Sequence, residues 1–362
     1  MEVKNELERV QLDVMSAQTR GNGNITTELL KQELNGEYLY GTGDWIYTCN
    51  KNSYKIGVDG NVNIVSIWTY NNDEQKIVSN KGTALNIGEF VDYNVNGNKF
   101  NYSGGWRIFG VEDKKIKLVS SELITENYVM TSEDAFNSKG IEKLNTICSD
   151  FSDNKFGSYA RTIKAEDIDI ITGYKKEEYG SSNNIDQYGN EVTYWLTSNG
   201  IKYVSKNGTN GINSNIKTFN LKDIELAEDD ENSKYTEKNT THQYSIVSRL
   251  GKNSIANKTI LYDSSNLNFL QPFWLGNEFT QCTEGRICWG LNCVFPSLGY
   301  LYGSYNDAGD LWRTDRVKYE RKYGVRAIVI LDYTANINKN SDINKSKDGL
   351  TKQTAWNIES MN

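Results

Sequence analysis

The chain has 362 residues, enough for more than one packed core, with 37% hydrophobic, 12% aromatic and 24% charged residues. This composition excludes a disordered or collagen-like chain, and a formal net charge of -7 with no local basic patch argues against nucleic acid as a partner. No stretch approaches the roughly 18 apolar residues that span a bilayer, and no charged segment followed by an apolar one opens the sequence as a secretory signal would.

Val3, Leu7, Val10 and Val14 repeat at i, i+4, i+7 and i+11, so they share one face of an amphipathic helix whose other positions carry Glu2, Glu6, Glu8, Gln11 and Asp13. Gly21-Asn22-Gly23 stops that helix, and Asn24 or Thr26 can cap a second, short one through Leu29, Leu30 and Leu34. The period then changes to two. Trp45, Tyr47 and Cys49 alternate with polar neighbours, Asn50 to Ser53 turn the chain, and Tyr54, Ile56 and Val58 alternate again. Asp59-Gly60 predicts a tight hairpin into Val62 and Ile64. The expectation for 1–75 is therefore an amphipathic helix packed on an antiparallel meander.

The helix NELERVQLDVMSAQTR followed by DWIYTCNKNSYKIGVDGNV resembles the soluble domain of type IV pilins and pseudopilins of Gram-positive bacteria. The resemblance covers about the first eighty residues. It implies an apolar helix half and a peptidase-cleaved leader upstream of Glu2, a membrane anchor before assembly, and other pilin subunits as partners. It also implies that Val3, Leu7, Val10 and Val14 form a filament-packing face, on a protein that is extracellular.

Beyond a polar stretch from Asn71 to Gly82, Trp106, Ile108 and Gly110 alternate, Glu112-Asp113-Lys114 turn, and Ile116, Leu118 and Ser120 return. Helical spacing follows at Ile141, Leu144 and Cys148, and at Ile168, Ile170 and Ile171, with Glu166 and Asp167 in a helical first turn. Short strand patterns occupy Tyr194 to Leu196, Ile201 to Val204 and Tyr244 to Val247. The acidic stretch within 222–241 reads as a solvated insertion rather than a cation site, because it lacks spaced ligands with a turn glycine. The run GVRAIVILDY predicts a strand buried on both faces, and 336–362 reads as a polar tail with an apolar anchor at Trp356.

Several of these pieces resemble a domain of Firmicutes surface proteins with a C-type-lectin-like or sulfatase-modifying-factor-like architecture. They are Gly105-Trp106-Arg107-Ile108, Leu118-Val119-Ser120, Leu144-Asn145 with Cys148, Ala160-Arg161-Thr162-Ile163, Trp195-Leu196 with Ser198, and Gly324-Val325-Arg326. Ala327 departs from that pattern, which usually has proline there. The fold class expected overall is α+β, with a pilin-like unit over 1–75 and a larger irregular lectin-like domain over 76–335.

Chemistry is sparse. The single histidine, His242, lies in a polar stretch, so histidine triads and multi-histidine metal sites are excluded, and no phosphate-binding or dinucleotide fingerprint occurs. No cofactor is expected. Five cysteines, Cys49, Cys148, Cys282, Cys288 and Cys293, are disulfide candidates, and the last three form a C-x5-C-x4-C cluster. Three readings of that cluster stay open: a structural bridge, a zinc-thiolate site, and a reactive Cys288–Cys293 pair with the spacing found in formylglycine-generating enzymes. Aromatic and charged residues crowd the segment from Phe273 to Arg316. Trp274, Trp289, Asp307, Asp310, Trp312 and Arg313 are ligand-binding candidates there, because exposed rings beside carboxylates suit a glycan or host surface. The alternative is that these rings fill a loop-rich core. Together these features predict a minor pilin or pseudopilin, not an enzyme, that displays its large domain near a filament tip, with glycan or host-surface adhesion as the second reading.

Overall fold

The computed structural model describes residues 2–34, 39–40, 44–71, 74, 76–94, 100–135, 139–156, 158–172, 192–197, 200–205, 210–213, 234–236, 244–245, 271–283, 286–295, 300–302, 310–313, 319–339 and 347–360. Helix α1 (Glu2–Arg20) buries Val10, Val14 and Ala17 completely, as the apolar spacing requires. It ends where Asn22 and Gly23 take positive φ of 52° and 93°. Helix α2 (Thr27–Glu33) starts at Thr26, whose hydroxyl accepts from the Leu29 amide at 3.3 Å. Both pack on an antiparallel sheet in the order β1 (Leu39–Tyr40), β2 (Trp45–Cys49), β3 (Asn52–Ile56) and β4 (Val62–Val65). The meander is as expected, but its second turn is wider than a two-residue hairpin. Gly57 N–H donates to Asn61 O, and only Gly60 has positive φ, at 84°, while the Asp59 carboxylate accepts from the Asn61 amide instead.

The chain then builds β5 (Trp68–Asn71), β6 (Lys76–Ser79) and β7 (Ala84–Asn86) as a three-stranded sheet. Next come β8 (Phe90–Asp92), β9 (Trp106–Glu112), β10 (Lys115–Ser120), β11 (Thr125–Met130), α3 (Lys139–Ser149), β12 (Tyr159–Thr162) and α4 (Ala165–Thr172). The β9–β10 turn has Asp113 and Lys114 both at positive φ, 50° and 60°, which is the tight hairpin geometry the sequence placed at Asp59-Gly60. β13 (Val192–Thr197), β14 (Gly200–Ser205), β15 (Asn210–Asn213) and β16 (Lys234–Thr236) form a four-stranded sheet. Of the 222–241 insertion, all but β16 lies outside the described residues. The last strands are β17 (Tyr244–Ser245), β18 (Phe273–Thr283), β19 (Arg286–Phe295), β20 (Tyr300–Tyr302), β21 (Asp310–Arg313), β22 (Arg321–Val325), β23 (Ala327–Ile330), β24 (Ala335–Ile337) and β25 (Trp356–Ser360).

Two seven-stranded sheets organise the larger part. One runs β12-β23-β10-β9-β8-β25-β24; the other runs β11-β22-β18-β19-β20-β17, with β21 also paired to β19. All pairings are antiparallel except β8 with β25 and β18 with β22, so the class is α+β with mixed sheets. The run GVRAIVILDY is two strands, not one. Arg326 breaks it, sending β22 into one sheet and β23 into the other. Ala327 to Ile330 are all buried, as a strand covered on both faces should be. Burial lowers the Arg326 guanidinium to about 10, and it is held by donating to Ser120 O at 3.1 Å.

Other motif residues also serve this junction. β12 is an edge strand whose outward amides are covered: Thr162 N–H donates to Asn145 Oδ1 on α3 and Ala160 N–H to Ser152 Oγ, both at 3.0 Å. β18 crosses close by at Gly276, where an added Cβ would lie 2.4 Å from Thr162 Cγ2.

Core membership corrects two domain boundaries. Val10, Val14, Ala17, Leu30, Leu34, Trp45, Tyr47, Tyr54 and Ile56 form one small core, but Trp68, Ile77, Leu85 and Ile87 belong to the large one. The division therefore falls between Val65 and Trp68 rather than at residue 75. Residues 336–362 are not a detached tail, because β25 sits between β8 and β24 and Trp356 and Ile337 are buried. Ile46, Val65 and Ile67 make a third small cluster with Tyr333, joining the two units, and Ser66 N–H donates to Tyr333 O at 2.9 Å.

Candidate functional site

The charged constellation around Lys117 and Asp167 is buried and structural in character. A register shift between Lys117 and Leu118 in β10 accompanies the burial of Lys117, whose Nζ lies 2.6 Å from Asp167 Oδ1 and 3.6 Å from Glu112 Oε2. Arg161 reaches the same two carboxylates, at 2.7 Å from each. Burial opposes charge on Asp167, yet the hydrogen bonds from Arg161 and the charges of Lys117 and Arg161 outweigh it and lower that carboxyl to about 2. Two cations and two carboxylates balance, and the Lys164 amide also donates to Asp167, so the network ties α4 and β12 to the β9–β10 hairpin.

The three cysteines do not come together as one cluster. Cys288 and Cys293 stand five positions apart along β19, about 16 Å at ~3.3 Å per residue. Cys293 pairs in register with Trp274 and Cys282 with Ile287, which separates Cys282 from Cys293 by six positions along β19, about 20 Å at ~3.3 Å per residue. A zinc-thiolate centre shared by Cys282, Cys288 and Cys293 is therefore ruled out geometrically, as is a reactive Cys288–Cys293 pair. Cys282 and Cys288 lie one register step apart. Cys49 and Cys148 are free thiols, and Cys293 is a buried thiol outside any disulfide. Cys49 instead accepts from the Arg9 guanidinium at 3.2 Å, and burial pushes the Cys148 thiol far up. Among the described residues no group of three or more His, Cys, Asp or Glu could hold a metal ion.

The ligand-binding candidates divide. Trp274 is completely buried; its indole N–H donates to Tyr128 O at 3.1 Å and its ring lies 4.5 Å from that of Tyr323. It is a core residue, because β18 runs through the middle of its sheet rather than along a loop. Trp289 is in backbone register with Trp312 across β19 and β21, Cys288 with Arg313 and Gly290 with Asp310. These four are thus brought together, on strands rather than loops. Asp307 and His242 lie outside the described residues.

The chain was compared with known proteins. No family model, curated protein or solved structure matches it.

Two surface features were not fully legible in the sequence. On α1, Val10 and Val14 turn into the sheet and Leu7 is half-buried, so the stripe expected to pack in a filament is consumed within the unit. That correction leaves Val3 at 44% exposure, while the opposite face of the helix presents Leu12 at 65% and Met15 at 53%. No helix among the described residues is long and apolar enough to cross a membrane.

The second feature is a cleft of about 170 Å³ beside the start of β9. Gly105, at φ 91°, turns the chain so that Trp106 enters the strand, and Tyr102 OH donates to Gly105 O at 2.7 Å to hold the bend. Trp106 then meets Tyr93, Tyr102 and Phe151 edge to face, with ring centroids 5.3, 5.7 and 5.4 Å away. Asp92, Asn94, Ser103 and Lys352 rim the opening, all exposed. The Tyr-x-Gly-Gly-Trp spacing from Tyr102 to Trp106 was a usable signal for it; Phe151 and Lys352 arrive from distant segments and gave none.

Proposed function

We propose that the chain is the extracellular part of a type IV pilin-like subunit, whose N-terminal helix packs against other subunits and whose larger domain is displayed outside. The observation that supports this reading is the outward face of α1. Of the seven large hydrophobic side chains most exposed among the described residues, three (Val3, Leu12 and Met15) lie on this one helix. Leu12 and Met15 are three residues apart, hence neighbours on the helix surface, and they sit opposite the face that Val10 and Val14 bury. An apolar pair there gains stability only if another surface covers it. A domain as large as the one following Val65 would crowd a close-packed helical array if every subunit carried it. A minor subunit at or near a tip is the arrangement that follows.

The test is the Leu12→Glu, Met15→Glu double variant, produced in the native cells. Both positions are exposed, so stability should change by no more than ~0.5 kcal/mol per site. The expected result is loss of the subunit from sheared surface filaments with unchanged thermal unfolding of the purified chain. Normal incorporation of the variant, or absence of the natural protein from any filament, would refute the reading.

A further inference from the structure

We infer that the Asn80 carboxamide is a latch that fixes the larger domain on the helix-and-meander unit, so that the crossing between them does not act as a hinge. This inference stands apart from the filament reading, because both sides of the latch lie within this chain.

Its first support is the crossing itself. Only Ser66 and Ile67 separate β4 from β5, and both are buried. Three successive amides here are bonded to three different parts of the larger domain. Ser66 N–H donates to Tyr333 O at 2.9 Å, Ile67 N–H to Asn80 Oδ1 at 3.2 Å, and Trp68 N–H to Lys114 O at 2.9 Å. The Asn80 amide donates back to Ile67 O at 3.0 Å. A hinge absorbs large changes of φ and ψ at a few residues. Such changes here would strand buried polar groups, so the crossing is held rather than free.

The second support is the reach of Asn80 over the boundary. It follows β6, whose Ile77 belongs to the larger core. Its side-chain nitrogen nevertheless donates to Lys51 O and Ser53 Oγ of the smaller unit, both at 3.1 Å. One carboxamide therefore accepts from the crossing and donates to the β2–β3 turn, a combination that needs both of its ends.

The third support is the surface against which the crossing packs. Ile46, Val65 and Ile67 cluster with Tyr333, and that ring is fixed from the side of the larger domain. Tyr333 OH donates to Asp113 O at 2.8 Å, and the Lys115 amine lies 4.6 Å from the ring centre while pairing with Asp332 at 3.5 Å. Neighbouring domains move relative to one another unless their interface opposes it, and here an apolar cluster and polar ties act together. The latch sets orientation rather than merging the two units, since their apolar cores stay distinct.

Residual dipolar couplings measured on the full deuterated chain test the latch. In the natural protein the amides of both units should fit one alignment tensor. Asn80→Asp keeps an acceptor for the Ile67 amide but sets a carboxylate oxygen against Lys51 O, where a donor is needed. It should split the fit into two tensors while the Ile67 amide stays protected from hydrogen exchange. Asn80→Ala should also split the fit, and should speed exchange of the Ile67 amide about fivefold, the loss of one hydrogen bond. Two tensors in the natural protein would overturn the inference. So would one tensor retained by either variant, or an Ile67 amide that Asn80→Ala leaves unchanged.

Discussion

In the N-terminal unit every buried side chain of the core comes from Val10 to Ile56, so its packing closes over short loops, whereas in the larger domain Trp68 shares one core with Trp356. The smaller unit can fold on contacts made early and locally. The larger one is incomplete until its last strand has entered between β8 and β24. The contrast matters for function. On the proposed reading the helix-on-sheet unit is held by neighbours through one helix face, and the Ile46, Val65, Ile67 and Tyr333 cluster joins the larger domain to it. The larger domain carries the buried charge network of Lys117, Arg161, Glu112 and Asp167 and the aromatic cleft at Trp106.

The sharpest way to break this comparison is to damage each core in turn and follow both by peptide-resolved hydrogen exchange during urea unfolding. Trp356→Ala removes a buried ring whose indole N–H donates to Glu89 at 3.1 Å and over which Lys339 packs at 4.8 Å. It should cost about 4 kcal/mol, confined to residues beyond Trp68. Leu30→Ala, at a fully buried position of the smaller core, should cost about 3 kcal/mol, confined to residues before Val65. Coincident loss of protection in both regions for either variant would show a single cooperative unit instead.

Acid offers a smaller and more selective probe. Asp167 has its pKa lowered from 3.8 to about 2, and Glu112 is also lowered, because Arg161 and Lys117 outweigh the burial that would raise them. A depressed folded value means that the stabilisation is complete above the unfolded value and disappears as pH falls through the folded one. The larger domain should therefore lose about 2 kcal/mol from Asp167 alone between pH 3.8 and about 2. Arg161→Met should flatten that acid slope. An unchanged slope would remove the network from the account.

The same contrast governs what could be read from the sequence. The α1 stripe, the Thr26 cap and the β2–β3–β4 meander depend on neighbours along the chain, and all were legible. The stripe of Val10 and Val14 predicts a helix packed on the meander, whereas the pilin resemblance implies that the same stripe packs in a filament; the meander takes it. In the larger domain, helices α3 and α4 and the β9–β10 hairpin were legible for the same reason. Arg326 dividing two sheets was not, since an apolar run reads the same whether one strand or two carry it. Cys282 and Cys288 stay one register step apart across β18 and β19, but the extended β19 carries Cys293 away from both. Trp274 carried no sign that β18 would run through the centre of its sheet, and the cleft at Trp106 needs Phe151 and Lys352 from segments that periodicity cannot join.

The central claim is that the Leu12–Met15 face of α1 contacts another subunit. A photo-crosslinking amino acid placed at residue 12 in the native cells tests it most directly, since that side chain is 65% exposed in the isolated chain. The account predicts a discrete light-dependent adduct with a filament subunit, lost when the crosslinker is moved to the buried position 14. A chain that stays uncrosslinked at residue 12 while filaments are present would contradict it.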